Sequence, residues 1–338
     1  MNQFSWYEAK SMEDAVKQAN TTLAEELYKP SGQAAIFKSG GIDVLDFIKE
    51  GLIRPKTLIN IREISGMDQI SYHRTDGLTI GANATLSEIE EHEVVGQHYP
   101  VLQMAVAHAA TPQLRNMSTM GGNLAQRNRC WYFRSADHPC FRKNGDRCYA
   151  RHAETGENEG HAIINNGTCV SVYASSIATA LLALQAKVIV VNVRMEKKEI
   201  PVEDFFISPA EDVSRENTLQ PGELITGIMI PTPAAGTKSH YIKQGARESY
   251  DWSLADVAVV AEMKGKTCEK IRIALGAAAP TPIRMYEAEA MMSNTIIDEA
   301  SALKVAEKCM EAARPLSKNG YKVPLFKSII QRALLELV

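Results

Sequence analysis

Four cysteines, Cys130, Cys140, Cys148 and Cys169, crowd one stretch of a chain that holds six. Thiolates gathered in this way select soft metal ions or iron–sulfur centres. The gaps contain no Cys-x-x-Cys pair, so neither a zinc ribbon nor either ferredoxin spacing fits. Buried free thiols are the alternative, because cysteine packs as a small hydrophobe. The neighbouring residues argue against that: Arg127, Arg129, Arg134, His138, Arg142, Lys143, Arg147, Arg151 and His152 are poor material for burying thiols. Cations there would instead offset the negative charge of metal-bound thiolates. Cys268 and Cys309 stand apart, on an expected turn and an expected helix, and read as structural.

Two glycine pairs form a second candidate. Lys38-Ser39-Gly40-Gly41-Ile42-Asp43-Val44 follows a short apolar strand ending at Phe37. Ser118-Thr119-Met120-Gly121-Gly122-Asn123 follows Thr111-Pro-Gln-Leu-Arg-Asn116, about 80 residues on. Glycine lets a backbone approach a ligand closely and adopt φ > 0, and strand–glycine–helix presents N–H groups to an anion. Taken alone these are also ordinary tight turns. A Rossmann GxGxxG and a GxxxxGK[ST] phosphate loop are both missing. So are a Ser-His-Asp elbow and an HExxH zinc motif. A third cluster, Tyr241–Asp251, mixes aromatic, basic and acidic groups, which a solvated strand end with weak ion pairs would equally explain.

The elements that must carry these loops follow from periodicity. Ser11 with Asp14 starts a helix, and Ala34–Phe37 is a buried strand leading into a helix over Leu45–Glu50. Strands are expected at Leu58–Ile61, Ile70–His73 and Leu78–Gly81, with Thr75-Asp76-Gly77 as a hairpin turn. Helices follow at Thr85–Ile89 and Val101–Ala110. Beyond Cys169 come an apolar helix, Ile177–Leu184, and strands Val188–Val193 and Ile225–Ile230. Pro231-Thr-Pro-Ala-Ala-Gly236 is the expected domain boundary. The remainder reads as α+β, with strands His240–Lys243, Ala255–Glu262 and Ile271–Leu275 and helices Glu287–Met292, Glu299–Ala312 and Phe326–Leu337.

A length of 338 residues favours two or three domains. A net charge of −3 without a basic run argues against nucleic acid or an anionic membrane as partner. No apolar run approaches a membrane span. Met1–Asp14 has neither the basic nor the apolar region of a signal peptide, and the cysteine usage suits reduced thiols in the cytoplasm.

The segment TPQLRNMSTMGGNLAQRNRC resembles the second flavin loop of the FAD-binding middle subunit of the molybdenum hydroxylases, the xanthine dehydrogenase and CO dehydrogenase family. Phe37–Val44 resembles that family's Leu-Leu-Ala-Gly-Gly-Thr-Asp-Leu, and Tyr241–Asp251 its Tyr-x-Lys-x-x-x-Arg-x-Ser-Tyr-Asp. Gln126-Arg-Asn-Arg-Cys130-Trp-Tyr-Phe133 is similar to the aldehyde oxidoreductase branch, with His161-Ala-Ile163 in order. The resemblance implies an α/β and α+β fold: a two-part FAD-binding domain of the PCMH type (1–57 and 58–232, with an iron–sulfur insertion at about 124–170) and a CO dehydrogenase flavoprotein-like C-terminal domain (237–338). It implies FAD contacts from Phe37, Lys38, Ser39, Gly40, Gly41, Ile42, Asp43, Val44, Thr111, Ser118, Thr119, Gly122, Asn123, Ala125, Ser176, Ile225 and Lys243. It implies a 4Fe–4S cluster on Cys130, Cys140, Cys148 and Cys169.

The implied partners are a large molybdenum-cofactor subunit, where substrate is oxidised, and a small 2Fe–2S subunit in a heterotrimer. Electrons would reach FAD and leave to an external acceptor, in the cytoplasm or, if the chain is exported on a Tat-signal partner, in the periplasm. One departure stands out: Ala174-Ser175-Ser176 replaces the family's Pro-Ser-Asp, so Ser176 brings no charge. The rival readings are a zinc-binding structural scaffold and a free-standing flavin reductase.

Overall fold

The computed structural model describes residues 3–151 and 156–338, so His152 lies outside the described residues. Strands β1 (Ser5–Glu8), β2 (Ala35–Lys38) and β3 (Thr57–Asn60) make a parallel sheet in the order β1-β3-β2. Helix α1 (Met12–Gln18) begins where Ser11 accepts the Asp14 N–H, as the Ser-x-x-Asp spacing expects. Helix α2 (Leu23–Tyr28) is fixed by a Thr22–Glu25 capping box. Helix α3 (Ile42–Lys49) starts directly after Gly41, ahead of the Leu45 expected from periodicity. Because β3 is the central strand, the first unit runs through Asn60, and a boundary at 57 would cut its sheet.

The second unit is an antiparallel sheet ordered β4-β5-β8-β6-β7: β4 (Ile70–His73), β5 (Gly77–Gly81), β6 (Lys187–Val191), β7 (Lys197–Pro201) and β8 (Leu224–Ile230). The expected hairpin turn closes at Gly77, with φ 90°. Around this sheet lie α4 (Leu86–Glu91), α5 (Glu93–His98), α6 (Pro100–Ala107), α7 (Pro112–Arg115), α8 (Met120–Ala125), α9 (Ser176–Ala183) and α10 (Val202–Phe205). Every residue of α9 is buried. An apolar helix without a polar face must be enclosed on all sides, and α9 is.

What encloses it is the last unit. Strands β9 (Thr237–Gln244), β10 (Ala255–Lys264), β11 (Thr267–Gly276) and β12 (Ile283–Arg284) form a sheet ordered β12-β11-β10-β9, with β13 (Thr295–Ile296) paired to β11. Val257, Val259 and Ala261 pack into a core with the C-terminal helices α11 (Tyr286–Met292), α12 (Glu299–Cys309) and α13 (Lys322–Leu335), the last of which brings Ile329 and Ile330. Ala258 and Val260, on the opposite face of β10, join the core that holds α9. A strand buried on both faces reads as an unbroken apolar run, which explains Val257–Ala261. Cys268 lies inside β11, not on a turn, because the turn falls just before it at Gly265 and Lys266. Both Cys268 and Cys309 are sealed in this core.

The segment from Gln126 to Val170 carries only a 3-10 turn, Phe141–Lys143, and a Cys140–Arg147 bridge among the described residues. Polar clasps replace the missing ladders. Asp43, in the first turn of α3, accepts the Arg127 N–H (2.8 Å) and pairs with Arg129 (3.0 Å) and Arg134 (2.6 Å). At the far end Lys322, fully buried, donates to the carbonyls of His161 (2.9 Å) and Ala277 (2.6 Å), tying the insertion to the last unit. Lys322→Ala is expected to reduce unfolding free energy by about 3 kcal/mol, because it strands buried carbonyls. Denaturant titration checks this, and a change under about 0.5 kcal/mol would show that the clasp contributes little.

Candidate functional site: a groove between two glycine loops and a sulfur-lined cavity

A groove of about 490 Å³ opens between the three units. It is lined by every residue from Phe37 to Val44, and by Thr111, Ser118, Thr119, Gly122, Asn123, Ala125, Ser176 and Lys243. Ile225 is not among its lining residues. It stands opposite Val190 in the β6–β8 pair, and its side chain is spent in the core. The two loops touch each other directly. The Ser39 hydroxyl donates to Asn83 Oδ1 (2.7 Å) and lies 3.1 Å from Thr119 Oγ1, so a residue that departs from the family's small apolar type clasps both loops.

The glycines differ in purpose. Gly41 sits at φ 84°, the left-handed region, and starts α3. Gly40 is required by proximity: a Cβ there would lie 2.1 Å from the Met117 carbonyl oxygen. Gly121 and Gly122 fall inside α8 and not in a positive-φ turn, with Thr119 as N-cap accepting the Gly122 N–H. A Cβ on Gly121 would stand 2.9 Å from Ala82 Cβ, so this glycine lets α8 pack against the end of β5. The first N–H groups of α8 are taken by Ala84, Ala82 and Thr119, so the α3 N-terminus is the helix end that favours an anion in the groove.

Charge is arranged on the walls. Lys38 and Lys243 both have their pKa drawn down, chiefly by burial. Lys243 Nζ is anchored to the His108 carbonyl at 2.8 Å. Arg127, Arg129, Glu216 and Trp252 also line the groove, and the Arg129 guanidinium stacks over the Trp252 ring at 4.7 Å. In the sequence Arg127 and Arg129 stand as neighbours of the cysteines, and no motif marks Glu216 or Trp252. Glu216 lies far from any motif, in a segment without periodicity.

Asp256, on β10, is buried and accepts from the Ser253 hydroxyl at 2.6 Å. Burial pushes its carboxyl pKa up. A carboxyl with a raised folded pKa favours folding below about pH 4 and loses that contribution as pH rises through the folded value. Relative to the parent, Asp256→Asn is therefore expected to gain stability as pH rises above about 4. Thermal melts across that range test it, and a difference independent of pH would refute it.

The four cysteines line one small cavity of about 20 Å³, beside Asn128, Arg142 and Ser171. Cys140, Cys148 and Cys169 are buried and Cys130 half-buried. Burial pushes the Cys130 thiol up to about 12 and raises Cys140 and Cys148. Among the described residues no set of three or more His, Cys, Asp or Glu side chains has closed to metal-holding geometry. The chemistry of the donors nonetheless fits a metal–thiolate centre. Arg142, 1% exposed, donates from Nε to Cys169 Sγ at 3.1 Å, and His161 Nε2 lies 3.3 Å from Cys130 Sγ. A buried guanidinium aimed at a sulfur is matched by a thiolate better than by a thiol.

A groove between two glycine loops, walled on one side by the last unit, is a setting for an extended dinucleotide. Residues 2–233 match the FAD binding domain in molybdopterin dehydrogenase, and residues 240–337 match the CO dehydrogenase flavoprotein C-terminal domain. The chain belongs to the family of FAD-binding subunits of molybdenum hydroxylases. Within it, the chain is 32% identical to the aldehyde oxidoreductase FAD-binding subunit PaoB of Escherichia coli K12, over 95% of this chain and 96% of that one. It is 24% identical to the carbon monoxide dehydrogenase medium chain of Hydrogenophaga pseudoflava, over 98% and 96%. The solved quinoline 2-oxidoreductase of Pseudomonas putida 86 superposes with a TM-score of 0.73 at 22% identity, covering 99% of this chain and 97% of that one, a likeness of fold.

Proposed function

We propose that the chain is the electron-transferring flavoprotein subunit of a molybdenum-dependent aldehyde or xanthine-type oxidoreductase. The observation that carries this reading is the groove itself, where both glycine loops and Lys243 meet although they are far apart in sequence. Phe37 to Val44, Thr111, Ser118, Thr119, Gly122, Asn123 and Ala125 are the residues we assign to FAD, with Ser176 and Lys243 on the wall toward the C-terminal unit. FAD supplies the exchange between one-electron iron–sulfur donors and an external acceptor. The chain's own part is to bind and orient it. The α3 N-terminus offers N–H groups to the pyrophosphate, Ser39 holds the two loops together, and Lys243 presents a fixed cation.

Cys130, Cys140, Cys148 and Cys169 are assigned to a 4Fe–4S cluster, with Arg142 and His161 as hydrogen-bonding neighbours of the sulfurs. The small cavity would also suit a single zinc ion, so zinc is the second reading of that site. In the assembly we assign, a large molybdenum-cofactor subunit oxidises the substrate and a small 2Fe–2S subunit passes electrons here. The PaoB relative is itself described as the FAD-binding subunit of an aldehyde oxidoreductase. Among the described residues no helix is long and apolar enough to cross a membrane. Purification of the intact complex tests the assignment: molybdenum is expected on a co-purifying large chain, with FAD on this one. Turnover of an organic substrate by this chain alone would overturn it.

A further inference from the structure

Between the groove and the sulfur cavity lies a buried run of charge. Glu216, 2% exposed, pairs through Oε1 with Arg142 Nη1 (3.2 Å) and through Oε2 with Arg127 Nε. Asn128 Nδ2 donates to Glu216 Oε1 at 2.9 Å, and Arg127 Nη2 donates to the Ser214 carbonyl at 2.8 Å. Arg127 and Arg142 are 2% and 1% exposed. Arg127 and Glu216 line the groove, whereas Arg142 lines the cavity and hydrogen-bonds Cys169 Sγ. The path Cys169–Arg142–Glu216–Arg127 therefore runs from one site to the other through side chains almost wholly removed from water.

Three buried charges of which two are cations leave an excess of one positive charge in a region of weak screening. Such an arrangement is costly as a mere fastener: buried ion pairs add little stability over an apolar replacement. Its position suits another task. Reduction adds negative charge at each end, one electron at an iron–sulfur centre, and two electrons with one proton at a flavin. A buried cation beside a site lowers the energy of the more negative state and so raises its potential.

We propose that Arg127, Glu216 and Arg142 form an internal charge bridge that sets the reduction potentials of the sulfur-held centre and the groove-bound flavin together. This rests on the cofactor assignment above. Arg142 and Glu216 are positioning residues: Arg142 acts on the cluster through Cys169, and Glu216 acts on both sites through the two guanidinium groups. Because the carboxylate is shared, changing its charge moves both potentials in one direction.

The test is potentiometric titration of the purified complex, following the cluster by EPR and the flavin by absorbance, with dithionite and mediators. Glu216→Gln keeps the shape and removes the negative charge, so both midpoints are expected to rise. Arg142→Met removes the cation, so the cluster midpoint is expected to fall, more than the flavin midpoint does. Unmoved potentials in variants that retain iron and flavin would overturn the bridge. A parent protein that binds neither cofactor would overturn the assignment beneath it. Should the variants fail to load, the parent itself remains testable. With arginine labelled by ¹⁵N only in its guanidinium group, pulsed EPR of the reduced cluster is expected to show a ¹⁵N coupling, and its absence would contradict the Arg142 contact.

Discussion

Gly40→Ala is expected to weaken FAD binding by about ten- to a hundredfold. The new Cβ would stand 2.1 Å from the Met117 carbonyl oxygen and 3.1 Å from its carbon. Both are backbone atoms of the second loop, and Arg62 also holds that oxygen, at 3.2 Å. No side-chain rotation relieves such a contact. The loops must separate, and with them the Ser39–Thr119 clasp. Overpacking of this kind costs about 1–3 kcal/mol, and each 1.4 kcal/mol is about a factor of ten in affinity. Flavin fluorescence titration of apoprotein measures it. Gly320→Ala is the control, since a Cβ there meets nothing within 4 Å. Equal affinity in the Gly40 variant and the control would mean that the two loops do not grip the ligand jointly.

Cys140→Ser is expected to remove at least about nine-tenths of the iron and acid-labile sulfide, because a ligand is lost outright where even outer hydrogen-bonding partners change affinity tenfold or more. Flavin should stay. The insertion is fixed to the first loop by Asp43 with Arg129 and Arg134, contacts that do not pass through sulfur. Cys309→Ser, in the C-terminal core, should cost stability but leave iron in place. Iron retained in the Cys140 variant, or lost equally in the Cys309 variant, would show that the cavity is not the metal site.

The flavin loops were legible because glycine leaves a local signature, yet its cause was only half readable. Gly41 serves a left-handed backbone, as expected. Gly40 and Gly121 serve packing against Met117 and Ala82, which are distant in sequence. Helix α9 was legible because apolar residues surround it on all sides, but what encloses it, a sheet beginning some 50 residues later, was not. Thr22-x-x-Glu25 is a capping box, a local signal that announces α2. Ile225 is assigned to the flavin by resemblance; in the structure it is buried in the core opposite Val190 and does not line the groove. Glu216 could not have been found: no motif surrounds it, and its meaning comes from two arginines that folding brings to it.

The cofactor content of the chain, purified without oxygen and assayed in one sample for flavin, iron, sulfide and zinc, tests the central claim most directly. The account predicts about one FAD per chain, with about four iron and four sulfide, as a cysteine-held 4Fe–4S cluster requires. A folded preparation without flavin, or one carrying zinc and no sulfide, would contradict it.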